Sequence, residues 1–358
     1  MIADLSRLLI RPDASLREVM ACLDRNAKGI ALVVDQEQRL IGTVTDGDLR
    51  RAVLAGLNLD LSVRTLLERR SGTPYPTPVT ASAETSDAEL LRMMNESGLR
   101  HIPLVDEGGH IVDVALLSDL VKEYELPLRA VVMAGGYGTR LRPLTEDIPK
   151  PMLPVGDRPL MHVIIDQLRS AGIRRVHVAT HYQPERIRSY FGDGEDFGVE
   201  LSYVREDRPL GTAGALGLLT ASEEPLLVIN GDILARVDFR AMLEHHREHR
   251  ADMTMAVRQY GVRLPYGVVE SDGAHVRRIR EKPNLAFLVN AGIYLLEPAT
   301  IRHIPSGERF DMTELIQRLL DRGRPVVSFP IVGYWLDIGN HGDYVQAQED
   351  VKQGRFTA

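Results

Sequence analysis

Two early stretches of the chain share one hydrophobic rhythm. In SLREVMACLDRN (Ser15–Asn26) apolar residues return every three or four positions, the spacing of an amphipathic helix with Ser15 as its cap. IALVVDQEQRLIGTVTDGDL (Ile30–Leu49) then reads as a short apolar strand, an acidic turn, a second strand and a helix capped near Asp48. Displaced by 71 residues, SDAELLRMMNES (Ser86–Ser97) and HIPLVDEGGHIVDVALLSDL (His101–Leu120) repeat this order without a gap, with Asp35 falling on Asp106 and Asp48 on Asp119. Neither unit can bury its sheet face alone. The two are expected to pack as one pseudo-symmetric α+β module over residues 1–125, in repeats of about 1–62 and 72–125.

The rhythm then changes. VKEYELPLR (Val121–Arg129) reads as a charged linker, and the apolar strand Ala130–Ala134 runs straight into AGGYGTRLRPLT (Ala134–Thr145). Strand, glycine turn and helix form a phosphate cradle, because glycines let backbone amides approach one anion closely. Further on, the apolar strand Leu226–Asn230 ends in Gly231-Asp232, and Tyr334–Gly339 carries a second aspartate, Asp337, after an apolar run. Residues 130–358 thus read as an α/β domain, with Asp232 at the carboxyl edge of its sheet, where ligands of open α/β folds bind.

Composition narrows the chemistry. The 358 residues suit two domains, and 44% hydrophobic with 26% charged residues is ordinary globular usage. No apolar run reaches the length of a membrane span, and Asp4, Arg7, Arg11, Asp13, Arg17 and Glu18 interrupt any secretion signal, so a cytoplasmic, membrane-free protein is expected. The lone Cys22 lies on the apolar face of its helix and reads as core. A net charge of −7 argues against nucleic acid as a partner. Any phosphate must be held locally, by glycine amides, a few cations and a divalent metal.

Two familiar cradles are excluded by their letters. Counting from Gly136, the sixth residue is Leu141 where a dinucleotide fingerprint needs glycine, and no Gly-Lys-Ser/Thr completes a P-loop. What remains, GG-x-GTR-L-x-PLT followed by Pro149–Val155, closely resembles the signature of sugar-1-phosphate nucleotidyltransferases. The resemblance extends through Arg205–Leu216, Tyr266–Glu270, Glu281–Pro283 and Asn290–Tyr294 to Asp337. It implies a Rossmann-like α/β/α domain with a mostly parallel sheet, using a nucleoside triphosphate and a sugar 1-phosphate and releasing pyrophosphate.

Residue roles follow from the same resemblance. Arg140 and Lys150 are the catalytic cations, and Ala134, Gly135, Gly136, Gly138, Thr139, Glu206, Gly211, Thr212 and Ala213 bind nucleotide. Gly267, Glu281, Lys282, Asn290 and Gly292 face the sugar phosphate, while Asp232 and Asp337 hold Mg²⁺. The nucleophile is a phosphate oxygen already ionised near neutral pH, so no general base is required and positioning with charge neutralisation supplies the rate. Glu206 suits the N1 and N2 donors of guanine, which makes GTP the first choice and UTP or dTTP the second. Amino-sugar 1-phosphates such as glucosamine 1-phosphate, used for surface glycans and nonulosonic acids, are the implied acceptors, with heptose or mannose 1-phosphate as rivals.

The leading repeats resemble a tandem pair of CBS domains, on the repeat itself, on His101–Asp106 and on Thr45-Asp46-Gly47-Asp48. That resemblance implies an adenine nucleotide held by Thr45 and Asp48. Leu116 replaces the threonine in the second copy, leaving Asp119 alone. Helix capping is the alternative reading of Thr45 and Asp48. A homo-oligomer is expected. Glu244–His249 lacks the H-E-x-x-H order of a zinc site and reads as a solvated helix. A nucleotide sensor that no longer turns over is the rival reading of the whole chain, against which the intact Arg140, Lys150, Asp232 and Asp337 argue.

Overall fold

The computed structural model describes residues 4–72, 76–120 and 125–356; the first four residues of the linker read at 121–129 lie outside them, as do the outermost residues of the repeats. The first repeat runs β1 (Leu9–Ile10), α1 (Leu16–Asn26), β2 (Ile30–Val34), β3 (Leu40–Thr45) and α2 (Asp46–Leu54), followed by α3 (Val63–Glu68). The second runs β4 (Ala81–Ser82), α4 (Asp87–Ser97), β5 (His101–Val105), β6 (Ile111–Leu116) and α5 (Leu117–Leu120). The 71-residue displacement carries α1 onto α4 and β2 and β3 onto β5 and β6, and it carries the bulge at Val33/Val34 onto that at Leu104/Val105. Asp35 and Asp106 close the two acidic turns alike, each accepting hydrogen bonds from backbone amides two and four residues on.

The two three-stranded sheets meet through an apolar seam of Leu8, Ile30, Leu32, Val114 and Leu116. Each repeat therefore covers the other's open face, as the hydrophobic pattern requires. Cys22 is buried in the first repeat's own core, where desolvation holds its thiol above its ordinary range.

The second domain opens with β7 (Arg129–Met133), a short ribbon of β8 (Pro154–Val155) and β9 (Arg158–Pro159), α6 (Leu160–Ser170), β10 (Arg175–Thr180), α7 (Pro184–Phe191) and β11 (Glu200–Arg205). It continues through α8 (Gly211–Gly214), β12 (Leu226–Asn230), β13 (Ile233–Ala235), α9 (Phe239–Glu248) and β14 (Met253–Arg263). A hairpin of β15 (Val268–Asp272) and β16 (His275–Arg280) follows, then β17 (Asn284–Leu296), α10 (Met312–Asp321), β18 (Val326–Pro330), β19 (Trp335–Asp337) and α11 (His341–Lys352). Seven strands form one sheet in the order β11-β10-β7-β12-β17-β14-β18. It is parallel throughout except where β17 runs against β12 and β14. Strands such as Ala130–Val132 and Leu226–Ile229 are continuously buried because hydrophobic clusters cover both sheet faces. The glycine turn and Asp232 both follow the carboxyl ends of neighbouring parallel strands, which brings them together.

The first repeat docks on this domain. Val332, from the β18–β19 connection, completes the repeat's core with Leu16, Val19 and Leu23, and Arg50 lies over the Phe329 ring at 4.5 Å. Arg100, from the second repeat, adds pairs with Asp238 at 2.9 Å and with Glu244. In this seam burial pushes Asp46 up to about 6 against the pull of Arg50, helped by Asp238 and Asp24, and pushes His101 down to about 4. A folded carboxyl that holds its proton more tightly than the unfolded one contributes stability at low pH and loses it as pH rises through the folded value. Asp46→Asn should therefore melt with wild type near pH 4 and above it at about pH 8, as differential scanning fluorimetry would show. Equal melting temperatures at both pH values would remove the assignment.

Candidate active site

The glycine turn is held open by what lies behind it. A side chain on Gly135 would meet the Glu206 Oε1 at 2.7 Å, and one on Gly138, which sits at φ +62, would meet Thr145 at 2.9 Å and the Lys150 Cβ at 3.2 Å. The Gly138 carbonyl accepts from the Thr145 hydroxyl at 2.7 Å, and Ala134 donates to the Ala179 carbonyl. Gly136 has open space before it, and Thr139 and Arg140 are exposed on a single 3-10 turn. The cradle is thus braced from below and open above.

Lys150 is buried beneath it, with its Nζ 2.6 Å from the Asp232 Oδ2. Asp232 immediately precedes β13 and Asp337 ends β19; the two strands pair with Ile233 opposite Asp337, and Ile338 N donates to the Asp232 carbonyl at 3.0 Å. The aspartates, 105 positions apart in sequence, are neighbours at one end of a three-residue ribbon. Desolvation by surrounding protein and then the Asp232 carboxylate push Asp337 up, against Lys150 and Arg140. The Arg140 Nη1 lies 3.5 Å from where a side chain on Gly339 would begin, and the Asp337 Oδ1 lies 3.8 Å from the same point. Among the described residues Arg140 makes no ion pair within 4.0 Å.

Two hard carboxylates that repel one another fit Mg²⁺, an ion that takes oxygen ligands and offsets their repulsion. Beside them the Asn230 Oδ1 is buried without a hydrogen-bond partner, which leaves a further oxygen unsatisfied. Removing the repulsion should stabilise the metal-free protein. Asp337→Asn is expected to raise its melting temperature in the presence of a chelator while lowering activity at least tenfold, the trade expected of a functional carboxylate. A lower melting temperature with activity retained would contradict it.

The remaining candidates fall into three groups. Glu206 is buried; its Oε2 accepts from Leu210 N at 2.8 Å, and burial raises its carboxyl above the ordinary range. Gly211, Thr212 and Ala213 are tied to the start of α10: Thr212 N donates to Asp311 at 3.1 Å, the Thr212 hydroxyl accepts from Met312 N at 2.8 Å, and Ala213 N donates to the Phe310 carbonyl. Gly292, at φ +72, packs against the Asn230 amide, and the Asn290 Oδ1 accepts from Gly292 N at 3.0 Å, so these two adjoin the carboxylate end. Gly267, Glu281 and Lys282 lie together on the exposed β15–β16 arm, where Lys282 Nζ is 4.0 Å from Glu281. The structure records no hydrogen bond or ion pair joining this arm to Asp232 or Lys150.

In the repeat module Thr45 caps α2: its amide and hydroxyl both donate to the Asp48 Oδ2 at 2.8 Å. Asp48 also pairs with Arg51 at 2.7 Å and with Arg70. Its carboxylate is fully engaged, and Arg51 or Arg70 would have to give way to a ribose. Asp119 is exposed on α5.

Three further residues of this region carry no local signal in the sequence. The Tyr137 hydroxyl meets the His181 Nε2 at 2.9 Å, and the His181 Nδ1 donates to the Glu206 carbonyl at 2.8 Å, a chain that ties the turn to the Glu206 segment. Asn230 was hidden inside an apolar strand. The helix Phe239–Glu248 is less solvated than its letters suggest: His246 is buried between Thr254 and Glu297, and His245 is half-buried against the Ser328 carbonyl. His245, Glu248 and His249 bring potential ligand atoms within 4.8 Å of one another on one helical turn.

Known proteins resemble both halves of the chain. The nucleotidyl transferase family pattern matches residues 129–354, and the CBS domain pattern matches residues 4–55 and 74–126. A mannose-1-phosphate guanylyltransferase of Mycobacterium tuberculosis is 34% identical over 234 residues, which is 63% of this chain and 65% of that protein. A UTP–glucose-1-phosphate uridylyltransferase of Synechocystis is 34% identical over 241 residues, 62% of each chain. The chain thus spans less than two thirds of the length of these relatives. Among solved structures, HddC from Yersinia pseudotuberculosis superposes with a TM-score of 0.50 at 26% identity, covering 62% of this chain and 99% of that one. An apo UDP-glucose pyrophosphorylase gives 0.51 at 21% identity, covering 64% and 99%, a likeness of fold alone.

Proposed function

The chain belongs to the nucleotidyl transferase family, with tandem CBS domains ahead of the transferase domain, and from that premise we propose that it transfers a nucleotidyl group from GTP to a sugar 1-phosphate. One observation carries the reading: a buried lysine and two adjoining carboxylates lie beneath an open glycine cradle, an arrangement that supplies charge rather than a base. An attacking phosphate oxygen needs none.

The amides of Gly135, Gly136 and Gly138, with Arg140, hold the β- and γ-phosphates, the departing pyrophosphate. Lys150 neutralises charge at the α-phosphate, its Nζ held in place by Asp232. Asp232 and Asp337 would hold Mg²⁺, which when bound would supply neutralisation of phosphate charge. Glu206 Oε1, the carboxylate oxygen turned toward Gly135, accepts from guanine, while Gly211, Thr212 and Ala213 shape the base pocket through their anchorage on α10. Asn290, Gly292 and Glu281 contact the sugar hydroxyls, and Lys282, beside the β15–β16 arm, pairs with its phosphate. The acceptor is an amino-sugar 1-phosphate such as glucosamine 1-phosphate, with a place in surface-glycan or nonulosonic-acid synthesis. Mannose 1-phosphate, in the name of the guanylyl relative, and heptose 1-phosphate are its rivals. The CBS pair takes an adenine nucleotide, and the chain works as a cytoplasmic homo-oligomer.

Pyrophosphate release with Mg²⁺, measured over GTP, UTP, dTTP and ATP against glucosamine, mannose, glucose and heptose 1-phosphates, tests the assignment. GTP with an amino-sugar 1-phosphate is expected to be fastest. Faster release from UTP, the substrate named for the uridylyl relative, would overturn the base assignment.

A further inference from the structure

We infer that Asp24, in the first repeat, is a positioning residue for the catalytic carboxylates. The inference rests on reading Asp232 and Asp337 as the metal-binding pair. Those aspartates stand at one end of the β13–β19 ribbon. At the other end Ala235 pairs with Trp335, and Arg236 N donates to the Tyr334 carbonyl at 2.8 Å. Asp24 closes that end: its Oδ1 accepts from Tyr334 N at 3.0 Å and from the Arg236 Nη1 at 3.1 Å, and its backbone carbonyl accepts from the same Nη1. One carboxylate thus clasps both strands. With three residues in each strand the clasp is about 10 Å from the aspartates, so a shift at Arg236 and Tyr334 reaches Asp232 and Asp337 through a single hydrogen-bonded ribbon.

Two further observations support a positioning role over general docking. Asp24 lies in the last turn of α1, where a carboxylate opposes the helix dipole, and the matching residue of the second repeat is the exposed, uncharged Asn95. The β18–β19 connection is also shaped around it: a side chain on Gly333 would lie 3.1 Å from the Arg236 carbonyl and 3.6 Å from the Asp24 Oδ1, while the adjacent Val332 is sealed into the repeat's core. The first repeat is in this sense part of the catalytic scaffold.

Mn²⁺ titration of the full chain, followed by loss of the free-ion EPR signal, reads the metal pair without turnover. Asp24→Ala is expected to weaken Mn²⁺ binding about fivefold to tenfold, less than loss of a ligand would, and to raise the Mg²⁺ needed for half-maximal pyrophosphate release in parallel. Asp24→Asn keeps an oxygen acceptor at the clasp and should stay within about twofold of wild type. Arg100→Ala breaks the other ion pairs of the seam without touching the ribbon, and its Mn²⁺ affinity should match wild type. Should Asp24→Ala fail to fold, Arg236→Ala opens the clasp from the opposite side and carries the same expectation. Wild-type affinity in a folded clasp variant, or equal weakening in Arg100→Ala, would overturn the inference alone, provided Asp232→Asn abolishes binding. Binding that survives Asp232→Asn would overturn the metal reading as well.

Discussion

Lys150→Ala is expected to lower kcat about 100- to 1000-fold, or roughly 3–4 kcal/mol of transition-state stabilisation, with the protein still folded. The effect is large because Lys150 is buried and held by Asp232 at 2.6 Å, so its charge is pre-aimed and the ammonium itself is little screened by water. A solvated loop cation would cost far less to remove. The pair also constrains the choice of variant. Alanine removes the cation and leaves the Asp232 carboxylate without its partner, so circular dichroism and Mn²⁺ affinity should accompany the kinetics. If metal binding is retained while kcat collapses, the loss belongs to Lys150 itself. Turnover within about tenfold of wild type would remove Lys150 from the chemistry.

Asp232→Asn should be more severe, costing at least about 1000-fold, because it disturbs two charges at once. It removes one metal carboxylate and also the partner that fixes the Lys150 Nζ. The same change relieves Asp337, whose carboxyl is pushed up in part by Asp232, so the metal-free variant should titrate closer to an ordinary carboxylate there. Lost turnover, lost Mn²⁺ binding and a relaxed Asp337 form one expected pattern. A strand-end cap without a metal role would give only a modest fall in melting temperature, with turnover intact.

How far the sequence reveals this site depends on the kind of contact. The repeat was legible because one displacement aligns apolar period and turn residues together, and its bulges and acidic turns follow the same displacement. The glycine turn and the two aspartates were legible as local patterns at strand ends. Their meeting was expected only through the family resemblance, because no local pattern encodes the pairing of β13 with β19 across about a hundred residues that produces it. Tyr137, His181 and Asn230 were invisible for a related reason: nothing local distinguishes a tyrosine in a turn, or an asparagine closing an apolar strand, until the neighbouring strand is in place. The Thr45 and Asp48 spacing fitted two physical roles. Only the arrival of Arg70 from beyond α3 shows that the carboxylate is engaged within the repeat. Glu281 and Lys282 matched a motif, yet they sit on an exposed arm whose position relative to the carboxylates no sequence spacing encodes.

The docking of the repeat module was the least legible feature. Asp24 reaches Arg236 and Tyr334 across 212 and 310 residues, and in sequence it is one more acid on a helix. Its placement ties the module to the β13–β19 ribbon by hydrogen bonds and by one shared apolar side chain, Val332.

The measurement that tests the central claim most directly follows the α-phosphate. The protein is incubated with Mg²⁺, a panel of sugar 1-phosphates and GTP, UTP or dTTP labelled with ³²P at the α-position. The account predicts that label passes from GTP into a nucleoside diphosphate-sugar, only when a sugar 1-phosphate is present, and that Asp232→Asn abolishes the transfer. Label that remains in all three triphosphates across the whole panel, with folded wild-type protein, would contradict it.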